Sequence, residues 1–337
     1  MTTNPRVSVV LPVLNEESCI DAALDRLRNQ TWTDLEVIVA DGGSSDATRL
    51  IVQRHMAVDP RVRLIANPRR LQSAGLNEAL KYATGEYIVR VDGHSFVDAD
   101  YIEKTVEIVD RTGAAVVGGR MVARPKDTVV ARGVAIANEA LWGAGPGRFH
   151  RAGKAGPAET VYLGCFRRTV VEELGGWSED VGVNEDYELN HRIRESGGIV
   201  WFDPALGVGY QPRSSLSAVA RQYFRYGRSK ATVMQRHPGS IRLRQVIPGG
   251  MIPMLLVLLL VPRLRELAAV GTVGHLALVA VGAAKADAPT EVKISAGAAA
   301  WLMHWSWSAG LWFGLVKPFD AASEKNVQHQ ETTRPSR

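Results

Sequence analysis

"EYIVRVDGHSF", Glu86 to Phe96, is the stretch on which the reading of this chain turns. Tyr87 to Val91 is a short apolar run rich in β-formers, the composition of a buried strand. It stops at Asp92-Gly93-His94, where a carboxylate and an imidazole flank a residue with no side chain. In open parallel α/β sheets ligands bind just beyond the carboxyl ends of the strands. Three similar runs precede this one: Val7–Pro12, Leu35–Ala40 and Val62–Ala66. The stretches between them have helical length and polarity, so residues 1 to about 210 are expected to form an α/β unit with a mostly parallel sheet.

The residues just after each run are polar. Asn15 and Glu16 follow the first, "DGGSSDAT" (Asp41–Thr48) the second, Arg69 and Arg70 the third, and Asp92 and His94 the fourth. Any one cluster is ordinary turn and capping chemistry; four on one rim point to a ligand. Neither G-x-G-x-x-G after the first strand nor a P-loop motif is present, which excludes the standard dinucleotide and triphosphate cradles. Carboxylates could instead hold a ribose and base, with a metal on the diphosphate. A carboxylate oxygen with an imidazole nitrogen suits a divalent ion, and the imidazole favours manganese over magnesium.

The chain has two cysteines, Cys19 and Cys165, without metal-ligand spacing, so a reducing compartment is expected. The opening "MTTNPRVSVVLP" runs directly into a strand, so no cleavable signal is expected. Arg213 to Arg244 holds eight Lys/Arg and no acid, immediately before the uncharged run Val246–Pro262. A basic belt beside an apolar run is the pattern of a cytoplasmic membrane face, which makes membrane lipids the expected partner of this charge and leaves nucleic acid unexpected. Two further apolar stretches, Leu267–Ala284 and Ile294–Val316, follow. Each is near the length of a bilayer span. The expected division is 1–212 catalytic, 213–244 basic interface, 245–317 membrane region with two or three transmembrane helices, and 318–337 a polar, disordered tail.

"VSVVLPVLNEE", "DGGSSD", the acidic strand end, "NEDYELNHRIRESG" and "QYFRYG" together resemble an inverting family 2 glycosyltransferase over roughly residues 5 to 235. The family's usual Asp-x-Asp is Asp-x-His here. With "NPRRLQSAGLN" and the apolar C-terminal segments, the chain is similar to the membrane-bound succinoglycan-type glucosyltransferases of bacterial exopolysaccharide synthesis. The resemblance implies a GT-A nucleotide-diphospho-sugar transferase fold followed by C-terminal transmembrane helices. It also implies transfer from a nucleotide-diphosphate sugar to a lipid-linked saccharide, a divalent cofactor (Mn2+ or Mg2+), and an inner-membrane, multi-pass protein whose catalytic domain faces the cytoplasm.

Residue by residue, the resemblance puts Pro12, Asn15, Glu16 and Asp41 on the donor, with Arg70, Asn77, Asp92 and Arg225. It gives the metal to Asp92 and His94. Asp186, at a helix N-terminus that favours its ionised form, would be the base. Glu185, Gly164, Gln222 and Tyr226 would shape the acceptor side, with Tyr226 standing where membrane-linked synthases carry Trp. The Gly- and Pro-rich stretch Trp142–Glu159 is expected to be a lid or disordered, and Cys165 to be structural. Two other readings stay open: a processive polysaccharide synthase, and a non-catalytic membrane scaffold that kept the fold.

Overall fold

The structure, a computed structural model, describes residues 6–151 and 153–319 and divides into two compact units. The first holds residues 6–122 and 153–210, the second residues 123–151 and 211–319. The part of the expected polar tail from Asp320 onward lies outside the described residues.

In the first unit the four apolar runs are strands within one residue at either end: β1 (Val7–Val13), β2 (Leu35–Asp41), β3 (Val62–Ala66) and β4 (Tyr87–Arg90). They are parallel in the order β3-β2-β1-β4, with Val9 beside both Val37 and Val89. Every residue of β1 and β2 is buried, as expected of strands covered on both faces. Three helices make the crossovers: α1 (Ile20–Arg28), α2 (Thr48–Val58) and α3 (Gln72–Leu80). Ile20, Ala23, Leu24 and Leu27 form the buried stripe of α1 at helical spacing. In α3 a Cβ at Gly75 would lie 3.0 Å from Pro12 Cβ, so the glycine lets the helix settle close to β1.

Beyond β4 the sheet turns antiparallel. Its order continues through β8 (Tyr162–Arg167), β6 (Val116–Ala123), β9 (Val200–Tyr210) and the short β5 (Phe96–Val97). Arg90 at the end of β4 stands opposite Gly164 of β8. Against this half lie α4 (Tyr101–Thr112), α6 (Arg168–Glu173) and α7 (Glu185–Glu195). The end of the Gly/Pro-rich stretch forms a two-residue strand, β7 (Gly156–Pro157), on β9.

The second unit is helical: α5 (Val129–Glu139), α8 (Leu216–Arg236), α9 (Leu243–Leu260), α10 (Arg265–Ala284) and α11 (Thr290–Val316). The segments Leu243–Leu260 and Pro262–Ala284 are long and apolar enough to cross a membrane. Their large side chains, among them Ile247, Leu260, Val270 and Leu278, are exposed. The third apolar stretch plays a different part. Ala299, Ala300 and Met303 of α11 are buried in one cluster with Val134 and Ala137 of α5 and Val219 of α8. Thus α5 packs in the helical unit, although its sequence lies inside the segment 1–212 read as catalytic.

Glycines set the closeness of α8 and α11. A Cβ at Gly227 would fall 2.1 Å from Trp307 O, and one at Gly310 would fall 2.0 Å from Phe224 O. Small residues at such crossings let two backbones touch. Gly227→Val should therefore cost more than about 3 kcal/mol through overpacking, read as a drop in the detergent-solubilised melting temperature. Gly239→Ala, where a Cβ would meet nothing within 4 Å, should leave the melt unchanged. Equal melts for the two variants would contradict the packing.

Prolines break the backbone ladder of α9. Pro253 has no N–H to give the carbonyl of Gly249. Trp312 Nε1 donates to that oxygen at 2.7 Å and Ser308 Oγ at 3.3 Å, while Ser308 Oγ accepts from Ile252 N–H at 3.1 Å. Side chains of α11 thus complete the hydrogen bonding of a helix that cannot complete its own.

Candidate active site

The polar strand ends of the first unit are laced together by their own hydrogen bonds. After β1, Asn15 takes a left-handed backbone (φ 55°), its N–H donates to Ser44 Oγ at 2.9 Å, and its Oδ1 accepts from Ser45 N–H at 2.8 Å. The Asp41 carboxylate, buried at the end of β2, accepts from the N–H groups of Gly43 at 3.2 Å and Ser44 at 3.1 Å. Arg70, also left-handed (φ 60°), reaches Gly43 O at 3.4 Å. Leu163, beside Gly164, is the third such residue (φ 54°) among those described. Left-handed backbone in a residue with a Cβ costs about 1–3 kcal/mol and persists where surrounding structure imposes it, commonly at binding sites. All three stand next to, or are, residues expected in the site.

Gly93 earns its place by space. A Cβ there would lie 3.2 Å from both Glu16 Cγ and Val13 Cγ1. The absence of one lets Glu16 come up to His94, whose Nδ1 lies 2.9 Å from Glu16 Oε1. A carboxylate only accepts, so Nδ1 carries the proton and the neutral ring's lone pair is on Nε2. A carboxylate on the far nitrogen is the usual way a metal-binding histidine is oriented.

Asp92 leads to the centre of the site and to a residue the sequence reading passed over. Arg90 is buried two positions earlier in the strand. Its Nε donates to Asp92 Oδ1 at 3.1 Å, its Nη1 donates to Glu185 Oε1 at 3.0 Å, and Nη1 also pairs with Asp186 Oδ1. One guanidinium thus ties the end of β4 to the first turn of α7. Gln72 Nε2 adds a bond to Asp92 Oδ1 at 3.2 Å. The available signal was a charged residue within "YIVRV", between two valines where an apolar side chain would be expected.

Three carboxylates around one cation have electrostatic consequences. Burial pushes Glu185 up to about 7, opposed by Arg90 and reinforced by Asp186. Asp186 is likewise raised, by burial first, against the pull of Arg90. Burial also works against the charge of Arg90, but Asp186, Asp92 and Glu185 outweigh it and hold the guanidinium firmly protonated. Glu185 Oε2 is shut off from solvent with no hydrogen-bond partner among the described residues. Cys165, buried on β8, has its thiol pushed up to about 12 by burial, which fits a structural residue with no nucleophilic role.

Asn77 and Arg69 hold the loop in front of α7. Asn77 Nδ2 donates to Trp177 O at 2.8 Å and to Glu179 Oε1 at 2.9 Å, while its Oδ1 accepts from Trp177 N–H at 2.9 Å. Arg69 pairs with Glu78 at 3.1 Å and Glu179 at 2.5 Å. The amide of Asn77, expected at the donor, is engaged throughout in this clamp. Gly164, expected at the acceptor, has φ 137° and stands across the ladder from Arg90. Pro12 lies in β1 under Gly75. Gln222, Arg225 and Tyr226 belong to the second unit, on α8, where Gln222 Nε2 donates to Tyr226 Oη at 2.9 Å.

Among the described residues no group of three or more His, Cys, Asp or Glu is arranged to hold a metal ion by itself. Asp92 and His94, the pair expected from the sequence to share one, stand two residues apart just beyond β4. The residues fit such an ion in two respects: Glu16 orients His94, and the cluster carries three carboxylates against one guanidinium.

The first unit is thus a mixed sheet with acidic groups at its strand ends. Residues 8–175 match the glycosyl transferase family 2 domain. The succinoglycan biosynthesis protein ExoA of Rhizobium meliloti is 34% identical over 318 residues, covering 91% of this chain and 94% of that protein. A dolichyl N-acetyl-α-D-glucosaminyl phosphate 3-β-D-2,3-diacetamido-2,3-dideoxy-β-D-glucuronosyltransferase of Methanococcus voltae is 23% identical, over 75% of this chain and 81% of its own. The mannosyltransferase PcManGT of Pyrobaculum calidifontis, solved with GDP-Man and Mn2+, shares the fold with a TM-score of 0.56. It is 22% identical, over 98% of this chain and 89% of its own. The chain belongs to glycosyl transferase family 2 and is a glycosyltransferase.

Proposed function

We propose that this enzyme moves a sugar, with inversion, from a nucleotide-diphosphate donor to a lipid-linked saccharide during cell-surface or exopolysaccharide synthesis. The observation that carries this reading is the guanidinium of Arg90, which draws Asp92 of the donor-side strand and Asp186 of α7 to one point. Asp186 takes the proton from the acceptor hydroxyl as that oxygen bonds to the anomeric carbon. The bond from carbon to the diphosphate oxygen breaks, and its electron pair leaves with the diphosphate. Asp41, Asn15 and Arg70 line the donor rim. Asp92 and His94 would hold a divalent cation, Mn2+ or Mg2+, that stabilises charge on the leaving diphosphate. The likeness to ExoA over nearly the whole chain supports an exopolysaccharide role.

On the same reading α9 and α10 cross the inner membrane, and the basic run Arg213–Arg244 lies at its cytoplasmic face. The test is to incubate membranes containing the enzyme with a panel of labelled nucleotide sugars and extracted lipid acceptors. One donor should label the organic phase in a manner dependent on divalent metal. Label appearing only as free sugar, or as long polymer from a single chain, would overturn the lipid-linked acceptor reading.

A further inference from the structure

Arg90 sits where no ligand can use it directly. Its side chain is 4% exposed, and the fork is spent on protein oxygens: Nε on Asp92, Nη1 on Glu185 and Asp186, with Nη2 at 3.5 Å from Asp92 Oδ2. A cation meant for a diphosphate would present N–H groups to the cleft. This one presents them to three carboxylates from two separate elements, the end of β4 and the start of α7. Nothing in strand propensity requires an arginine between Val89 and Val91, and burying one is costly. Gly164 stands opposite it across the ladder, with Leu163 in the left-handed region beside that glycine. The local backbone is therefore also irregular where the guanidinium is housed.

We propose that Arg90 is the positioning residue of the transfer reaction, an internal cation that sets the carboxylate of Asp186 at a fixed place relative to the donor-side carboxylate Asp92. This rests on the reading of Asp186 as base. The planar fork matters, because a guanidinium can serve carboxylates on both sides in one plane whereas an ammonium is a point charge on a flexible stem. Glu185 acts as the second anchor on α7. With both neighbours tied to one group, the first turn of α7 cannot drift from the strand end, and small displacements of a catalytic group cost large factors in rate.

Because removal of the whole side chain leaves three carboxylates uncompensated, the informative variant is Arg90→Lys, studied as the full-length chain in detergent alongside wild type, Glu185→Gln and the double variant. Arg90→Lys should lower kcat about 30- to 100-fold, while nucleotide binding measured by calorimetry, and donor KM, change less than about threefold. In the double variant the lysine faces one anion fewer, so the fold-loss from Arg90→Lys should shrink at least about fivefold against the Glu185→Gln background. Additive losses in the cycle, or losses in nucleotide binding as large as the loss in kcat, would overturn the proposal and leave Arg90 a packing or donor-side residue. Should Arg90→Lys fail to fold, the melt would show it, and Arg90→Gln with Glu185→Gln, which removes one cation and one anion together, serves the same comparison against Glu185→Gln. The base reading fails separately: an active Asp186→Asn enzyme would sink it whatever Arg90 does, whereas a silent Arg90→Lys beside a dead Asp186→Asn would sink only the positioning role.

Discussion

Asp186→Asn is expected to reduce kcat about a thousandfold, near the middle of the range for losing a general base, with nucleotide-sugar binding within about twofold of wild type. The amide keeps the shape and one acceptor oxygen for Arg90 but cannot take a proton. The pH profile gives a second reading of the same group. A base must be ionised, and burial raises Asp186 above the ordinary carboxylate range. Activity should therefore fall as the pH drops, along a limb lying higher than a surface carboxylate would give. Glu185→Gln removes a neighbouring charge that disfavours ionisation of the pair, so the limb should move to lower pH. Initial rates across pH for the three proteins check both statements. A limb that Glu185→Gln leaves in place would separate Glu185 from the base.

His94→Ala should lower metal-stimulated transfer by a factor on the order of a hundred, at the upper end of what changes around a metal site cost. Loss of the ring takes away one of the two donors proposed for the ion and leaves Glu16 Oε1 without the partner it has 2.9 Å away. His94→Asp should recover part of the rate and shift preference from Mn2+ toward Mg2+, since a hard oxygen donor replaces an imidazole. Titrations of rate and of nucleotide affinity against each ion distinguish the outcomes. An alanine variant with wild-type dependence on both ions would return His94 to the status of a surface residue.

The parallel half of the sheet was legible because β1, β2 and β4 are buried on both faces and read as predominantly apolar runs ended by polar turns. The antiparallel half was less so. β6 contains Gly118 and Gly119, and a Cβ at Gly119 would overlap Leu206 O, so backbone contact with β9 is bought with residues that resemble a loop. β8 likewise carries Gly164. The helical unit hid α5 for a different reason: its partners on α8 and α11 lie far along the chain, and an amphipathic pattern does not say which surface will cover it. Of the candidate site, Asp41, Asp92 and Asp186 could be proposed from the sequence because carboxylates after strands and at a helix start stand out. Arg90 was not, because a single charge in an apolar run is discounted when only the pattern of the run is being read. Gln72, opening a helix of ordinary polar composition, offered even less.

The carbonyl of Gly249, left without its usual donor by Pro253, has a consequence for the order in which the protein is made. Its substitutes, Ser308 and Trp312, are translated about sixty residues later. At roughly 5–20 residues per second the ribosome needs about 3–12 s to reach them. If α9 enters the bilayer as it emerges, it does so with an unmet polar group and stays a provisional helix until α11 arrives. Completion of α9 then waits on the end of the chain: the helix gains these hydrogen bonds only once α11 has packed beside it, and a chain stalled between the two would hold α9 with the Gly249 carbonyl unmet.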